Sequence, residues 1–117
     1  MLIGGSIKDV FVWTCPIDMR KSIDGLCVCV VESMNDNPGD GKVYVFFNQG
    51  LNKLKLIYWG GNGFCLLYKR LEKGRFQLPK EEDNPWVIRR SELEYLLSGL
   101  RVESWPKKRE QLYEKYA

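Results

Sequence analysis

The stretch YKRLEKGRFQLP, from Tyr68 to Pro79, sets Lys69, Arg70, Lys73 and Arg75 around a turn with one carboxylate, Glu72, among them. Tyr68 and Phe76 stand beside these cations. Basic side chains interleaved with aromatics on a sheet are chemistry for a single-stranded polyanion, because rings stack on bases while cations neutralise phosphates. The competing reading is a solubilising, edge-protecting hairpin. The wider charge distribution bears on the choice. Residues 1–52 carry four basic side chains (Lys8, Arg20, Lys21, Lys42) against six acidic ones. Residues 53–79 carry six, including Lys53 and Lys55, against Glu72 alone, and the remainder balances eight against eight. The net charge of +3 is therefore concentrated in one segment.

A second cationic group is Asp18-Met-Arg-Lys. If Asp18 caps a helix, Arg20 and Lys21 fall in its first turn, where the macrodipole disfavours cations by about 0.3–1 kcal/mol each. Positions that break a local rule in this way are candidates for function. A helix N-terminus attracts anions through its free N–H groups, and two flanking cations would strengthen such a phosphate site. Alternatively, Arg20 pairs with Asp24 and Lys21 points into water.

Other chemistries are excluded or weakly supported. The chain has no histidine, so Ser-His-Asp and Cys-His catalysis are ruled out. Cys15, Cys27, Cys29 and Cys65 form no CxxC pair and no histidine could complete a site, which argues against zinc; with a cytoplasmic location they are expected to be reduced and half-buried. Asp18, Asp24, Asp36, Asp40 and Asp83 could in principle serve metal-dependent nuclease chemistry, but each also reads as a cap, a turn residue or a solvated charge. No cofactor is expected.

The elements that must position the cations follow from periodicity. Ile7–Trp13 is β-branched and aromatic and reads as a strand. Ile23, Leu26, Cys27, Val30, Val31 and Met34 follow the spacing of one helix face, opened by Asp18 and ended by Asn35-Asp-Asn-Pro-Gly-Asp-Gly. Gly25 weakens that helix by roughly 1 kcal/mol, which points to a close packing contact. Lys42–Phe47, Leu54–Trp59, Phe64–Leu71 and Arg75–Pro79 then read as short strands joined by turns, spacings that suit antiparallel hairpins. Trp86–Arg89 is a further strand candidate, and Ser91 with Glu94 forms a capping box before Leu93, Leu96, Leu97 and Leu100, with Gly99 near the end. The expected fold is α+β: an antiparallel β-meander with two helices packed on one face. One domain over residues 1–104 and a charged tail over 105–117 complete the expectation.

Taken together these residues resemble a known family, the small accessory proteins encoded by the second open reading frame of insertion sequence 66 transposons. The matching motifs are Asp18-Met-Arg-Lys with Asp24-Gly-Leu, Val45-Phe-Phe-Asn, Leu54-Lys-Leu with Tyr58-Trp, and Gly63-Phe. They continue through Lys69-Arg-Leu-Glu-Lys-Gly-Arg-Phe and Pro79 to Leu93 and Leu96-Leu-Ser-Gly, covering roughly residues 5–101. The resemblance implies a non-catalytic helper that works beside a separate, larger transposase, by DNA binding or by assembly of the transposition complex. It also implies that Asp18, Asp24, Gly25, Trp59, Gly63 and Gly74 are family-motif positions with structural roles. Two departures stand out. The family's arginine-rich turn after Phe47-Asn48 is Gln49-Gly-Leu-Asn here, and its Asp after Trp59 is Gly60.

The resulting expectation is a transposition accessory protein that binds DNA through Arg20, Lys21, Lys55, Lys69, Arg70 and Arg75. The alternative is a protein-assembly module that binds the transposase without touching nucleic acid. MLIGGSIKDV lacks the pattern of a secretory signal and no apolar run is long enough for a membrane helix, so a cytoplasmic location is expected.

Overall fold

The computed structural model describes residues 9–79 and 83–106. Its centre is β2 (Val43–Phe47), VYVFF, in which every residue is buried. A strand that is apolar on both faces needs a cover on each side, and that requirement organises the rest. Five strands form one sheet in the order β4-β3-β2-β1-β5: β1 is Asp9–Val12, β3 Lys53–Trp59, β4 Phe64–Arg70 and β5 Trp86–Arg89. The α+β class expected from the sequence is what forms.

The sheet is not a pure meander. Strands β2, β3 and β4 run as consecutive antiparallel neighbours, but β1 pairs parallel to β2, with Val10 opposite Val43 and Val12 opposite Val45. The chain between them holds α1 (Ile23–Glu32), and a crossover of that length permits a parallel pair. β5 then adds antiparallel to the far side of β1, with Val10 opposite Ile88.

Strand alternation sorts the side chains into two clusters, and the helices lie on opposite faces rather than on one. On one face Val10, Val12, Val43, Val45, Leu54 and Leu56 join Leu93, Leu96 and Leu97 of α2 (Arg90–Leu97). On the other, Tyr44, Phe46 and Ile57 join Leu26 and Val30 of α1, with Phe11, Ile17 and Met19 at the margin. The β3 face that carries Lys55, Ile57 and Trp59 is where α1 docks, with Ile57 packed against Leu26 and Val30.

Three local expectations also shift. Helix α1 begins after Ser22, so Asp18 is not its cap. The Asp18 carboxylate instead accepts the Arg20 backbone N–H at 2.8 Å, closing a turn ahead of the helix. Helix α2 begins two residues earlier than the Ser91 box implies, with Glu92 accepting the Arg89 N–H at 2.9 Å. Its end is a Schellman motif: Leu100 N–H bonds Tyr95 O, Gly99 N–H bonds Leu96 O, and Gly99 takes φ +76°.

Arg75–Pro79 is not a strand. After β4 the chain turns through Gly74 (φ +79°) and crosses to the α2 face, where Phe76 is buried with its ring 5.5 Å from that of Phe47. Its N–H bonds Leu51 O at 2.7 Å. A buried phenylalanine offers more than an exposed edge pairing would, so the segment closes the core instead of extending the sheet. Trp105, the first residue of the expected tail, is buried and stacks on Trp86 at 5.5 Å. Ile7, Lys8 and residues 107–117 lie outside the described residues.

Candidate nucleic-acid interface

Lys69 and Arg70 are neighbours in sequence and therefore point to opposite faces of β4. The Lys69 ammonium donates to Leu97 O at 2.8 Å, satisfying a carbonyl of the last turn of α2. A cation at a helix C-terminus is favoured by the macrodipole, so its charge serves the fold. Arg75 is exposed, and its backbone carbonyl lies 3.6 Å from where a Cβ on Gly99 would stand, at the end of α2. These two residues do not join the others.

Arg70 lies on the α1 face, opposite Lys53 of β3, while Tyr68 lies opposite Lys55. The Lys55 ammonium donates to Met19 O and Lys21 O, both at 2.7 Å, and sits 5.4 Å from the centroid of the Tyr68 ring. Lys55 thus ties the Asp18–Lys21 turn to the strand pair. Its role is to position that turn, and its own donors are largely engaged. Gly25 has a matching role: a Cβ there would lie 3.2 Å from Lys21 Cβ and 3.3 Å from its Cγ, so glycine leaves room for the lysine stem. The close contact expected at Gly25 is thereby identified.

Lys53, Arg70 and Tyr68 thus share a sheet face with Lys55, and Lys55 holds the backbone of the turn that carries Arg20 and Lys21. Arg20 is fixed by Asp18 through Nη2–Oδ2 at 2.7 Å and Nε–Oδ2 at 2.9 Å, yet its side chain is 92% exposed. The guanidinium hydrogen bond, then the Arg20 backbone N–H, hold the Asp18 carboxyl down at about 2. Arg70 pairs with Glu72 at 3.0 Å across an exposed contact. Surface pairs of this kind contribute about 0–1 kcal/mol, so a phosphate can compete for either arginine. Among the described residues, Lys21 and Lys53 have no side-chain acceptor. Lys53 was counted only for its charge, and Tyr68, read from the sequence as a stacking ring, was not carried into the expected binding set. Strand alternation, extended to 53 with 55 and to 68 with 70, was the signal that places them.

Asp24 occupies the first turn of α1, where a carboxylate complements the dipole. Trp59 packs edge-on against Phe64 at 5.1 Å, and Gly60 N–H bonds Gly63 O at 2.7 Å to close the β3–β4 hairpin. A Cβ on Gly60 would stand 2.8 Å from Cys65 Sγ, so the aspartate usual at this position in the resembling family is sterically opposed here. In the Gln49-Gly-Leu-Asn turn, Asn48 Oδ1 accepts the N–H groups of Asn52 and Lys53, a brace that needs no cations.

Of the acidic candidates, Asp36 and Asp40 bind the Lys42 ammonium at 3.3 and 3.0 Å. Tyr44 Oη also donates to Asp40 at 3.0 Å, and burial, then that bond, push the phenol above its ordinary range. These groups knit the loop after α1 to β2. Among the described residues no set of three or more His, Cys, Asp or Glu could hold a metal ion. The cysteines are free. Burial, then Asp24, push the Cys27 thiol up, away from the reactive thiolate. No helix among the described residues is long and apolar enough to cross a membrane.

The model of the IS66 Orf2-like protein family matches residues 8–107. Two relatives from Sinorhizobium fredii (strain NBRC 101917 / NGR234) are the uncharacterized proteins y4hO and y4jC. The chain is 39% identical to y4hO over 100 residues, covering 86% of this chain and 87% of that protein. It is 34% identical to y4jC over 103 residues, covering 86% and 88%. No solved structure matches. The chain belongs to the IS66 Orf2-like family, which ties it to insertion-sequence transposition.

Proposed function

We propose that this IS66 Orf2-like protein is a non-catalytic accessory factor in transposition, and that it contacts DNA through the cations around Lys55. Arg20, Lys21, Lys53 and Arg70 meet phosphates, and Lys55 holds the Asp18–Lys21 turn in place. The observation that supports this reading is the tether itself: two bonds of 2.7 Å from Lys55 hold the backbone of the loop that carries Arg20 and Lys21 against the strand that carries Lys53. Lys69 and Arg75 are not assigned to the contact, because the other face uses or separates them.

A salt titration of DNA affinity tests the reading. Phosphate contacts release counterions, so affinity should fall linearly with log salt, and Lys53→Ala with Arg70→Ala should lower that slope by about 2. Absence of binding at low salt would reject DNA contact. DNA cleavage that needs metal and is abolished by one Asp substitution would reject the non-catalytic role.

A second reading has one observation in its favour. Val28 and Val31 on the outer side of α1 are 50% and 53% exposed, a small apolar patch that could receive the transposase of the same element. Co-purification with that transposase, lost on Val28→Asp with Val31→Asp while DNA affinity is unchanged, would support assembly as the main role.

A further inference from the structure

Resting on the reading of the Lys55 region as a nucleic-acid contact, we infer that this site takes single-stranded nucleic acid, with Tyr68 as its stacking platform.

Duplex readers commonly lay a helix with basic side chains into the major groove. Neither helix here is suited to that. Helix α1 contains Asp24 and Glu32 and no Lys or Arg, while α2 carries Glu92 and Glu94 behind Arg90 at its first position. The basic groups lie instead on two paired strands, Lys53 and Lys55 on one and Arg70 on the other. Beside them an aromatic ring is held open: Tyr68 is 49% exposed.

The ring's surroundings favour a base as its occupant. The Lys55 ammonium lies over the ring, 5.4 Å from the centroid, and is itself fixed by Met19 O and Lys21 O. That cation occupies one face of the ring, and about half of the tyrosine stays open to solvent, where an unpaired base can stack. Within a duplex the bases are stacked on one another and cannot reach it. Arg70, two residues along the same strand face, and Lys53 opposite it supply positive charge for the flanking phosphates. Ring and cations side by side form the usual pattern for holding a single strand without sequence preference. The role needs only the π-face, so the phenol hydroxyl is dispensable.

The experiment compares oligothymidine, oligouridine and a duplex of the same length by fluorescence anisotropy, using the full chain and its Tyr68→Ala and Tyr68→Phe variants. Tighter binding of either single strand than of the duplex is expected. Tyr68→Ala should weaken single-strand binding about tenfold while leaving duplex binding unchanged, and Tyr68→Phe should bind as the parent does. Duplex binding as tight as single-strand binding overturns the inference and leaves the DNA contact standing. The same follows if Tyr68→Ala weakens both equally or neither, or if Tyr68→Phe loses as much as Tyr68→Ala. Failure to bind any of the three probes overturns the inference together with the proposed function.

Discussion

The two faces of the sheet draw on the same residue types and use them differently. On the α2 face, Phe76 is buried against Phe47, Trp105 stacks on Trp86, and the Lys69 ammonium closes the last turn of the helix. Aromatics there fill volume and the cation completes a backbone. On the α1 face, Tyr68 stands open while Arg20 and Arg70 hold only exposed partners. Charge counted along a sequence is therefore a poor guide to charge offered at a surface. Of the residues that made the opening stretch conspicuous, Lys69 and Phe76 serve the fold, while Tyr68, Arg70, Lys73 and Arg75 stay exposed.

The largest test of this contrast is aromatic. Phe76→Ala empties a buried site and should cost about 3–5 kcal/mol, whereas Tyr68→Ala should cost under about 1 kcal/mol. Urea denaturation of the two variants measures both, and equal losses would erase the distinction between the faces.

An intermediate effect is expected at the hairpin. Gly60→Asp forces a Cβ against Cys65 Sγ, 2.8 Å away, and should destabilise by about 1–3 kcal/mol. Adding Cys65→Ala should restore most of that loss. Additive losses in this double-mutant cycle would mean that the sulfur is not the obstacle.

Lysines provide a finer comparison. Lys69→Ala should lose about 1–2 kcal/mol by freeing Leu97 O, without altering the salt slope of DNA binding. Lys53→Ala should change stability by no more than about 0.5 kcal/mol, yet lower the slope by about 1. The reverse assignment would exchange the roles of the faces.

The smallest effects are titrations on the α1 side. Tyr44 has its phenol raised by burial and by Asp40, so the stability it lends is present below the ordinary value of about 10 and falls as pH climbs above it. Alkaline unfolding monitored by circular dichroism should shift in Tyr44→Phe. Asp18 is shifted the other way, to about 2. Its contribution is complete above the ordinary carboxylate value and is lost as pH falls through about 2, a midpoint that carboxyl NMR reads directly. Arg20→Gln should return that midpoint toward the ordinary value.

Much of the fold was legible. The apolar spacing of Leu26 and Val30, the alternation of Leu54 and Leu56, and the Leu93, Leu96, Leu97 stripe all mark buried faces. What periodicity does not carry is which face of a sheet receives a helix. Two stripes fit one face or two, and only the wholly apolar β2 hinted that both sides are covered. RFQLP reads as strand locally, yet Phe76 is drawn into the core across the chain. Asp18 reads as a cap, yet Arg20 two residues later captures its carboxylate. The candidate site was only partly legible for the same reason. Composition located the cations, but Lys69 and Lys55 are claimed by carbonyls 28 and 34–36 residues away, which no local pattern announces.

The most direct test of the account is a lysine footprint by reductive methylation, with and without saturating oligothymidine. Lys53 should be methylated freely in the isolated protein and shielded by the strand, while Lys69, engaged with Leu97 O, should react slowly and equally in both states. Shielding confined to Lys69, or Lys53 left as reactive with the strand as without it, would contradict the assignment of nucleic acid to the α1 face.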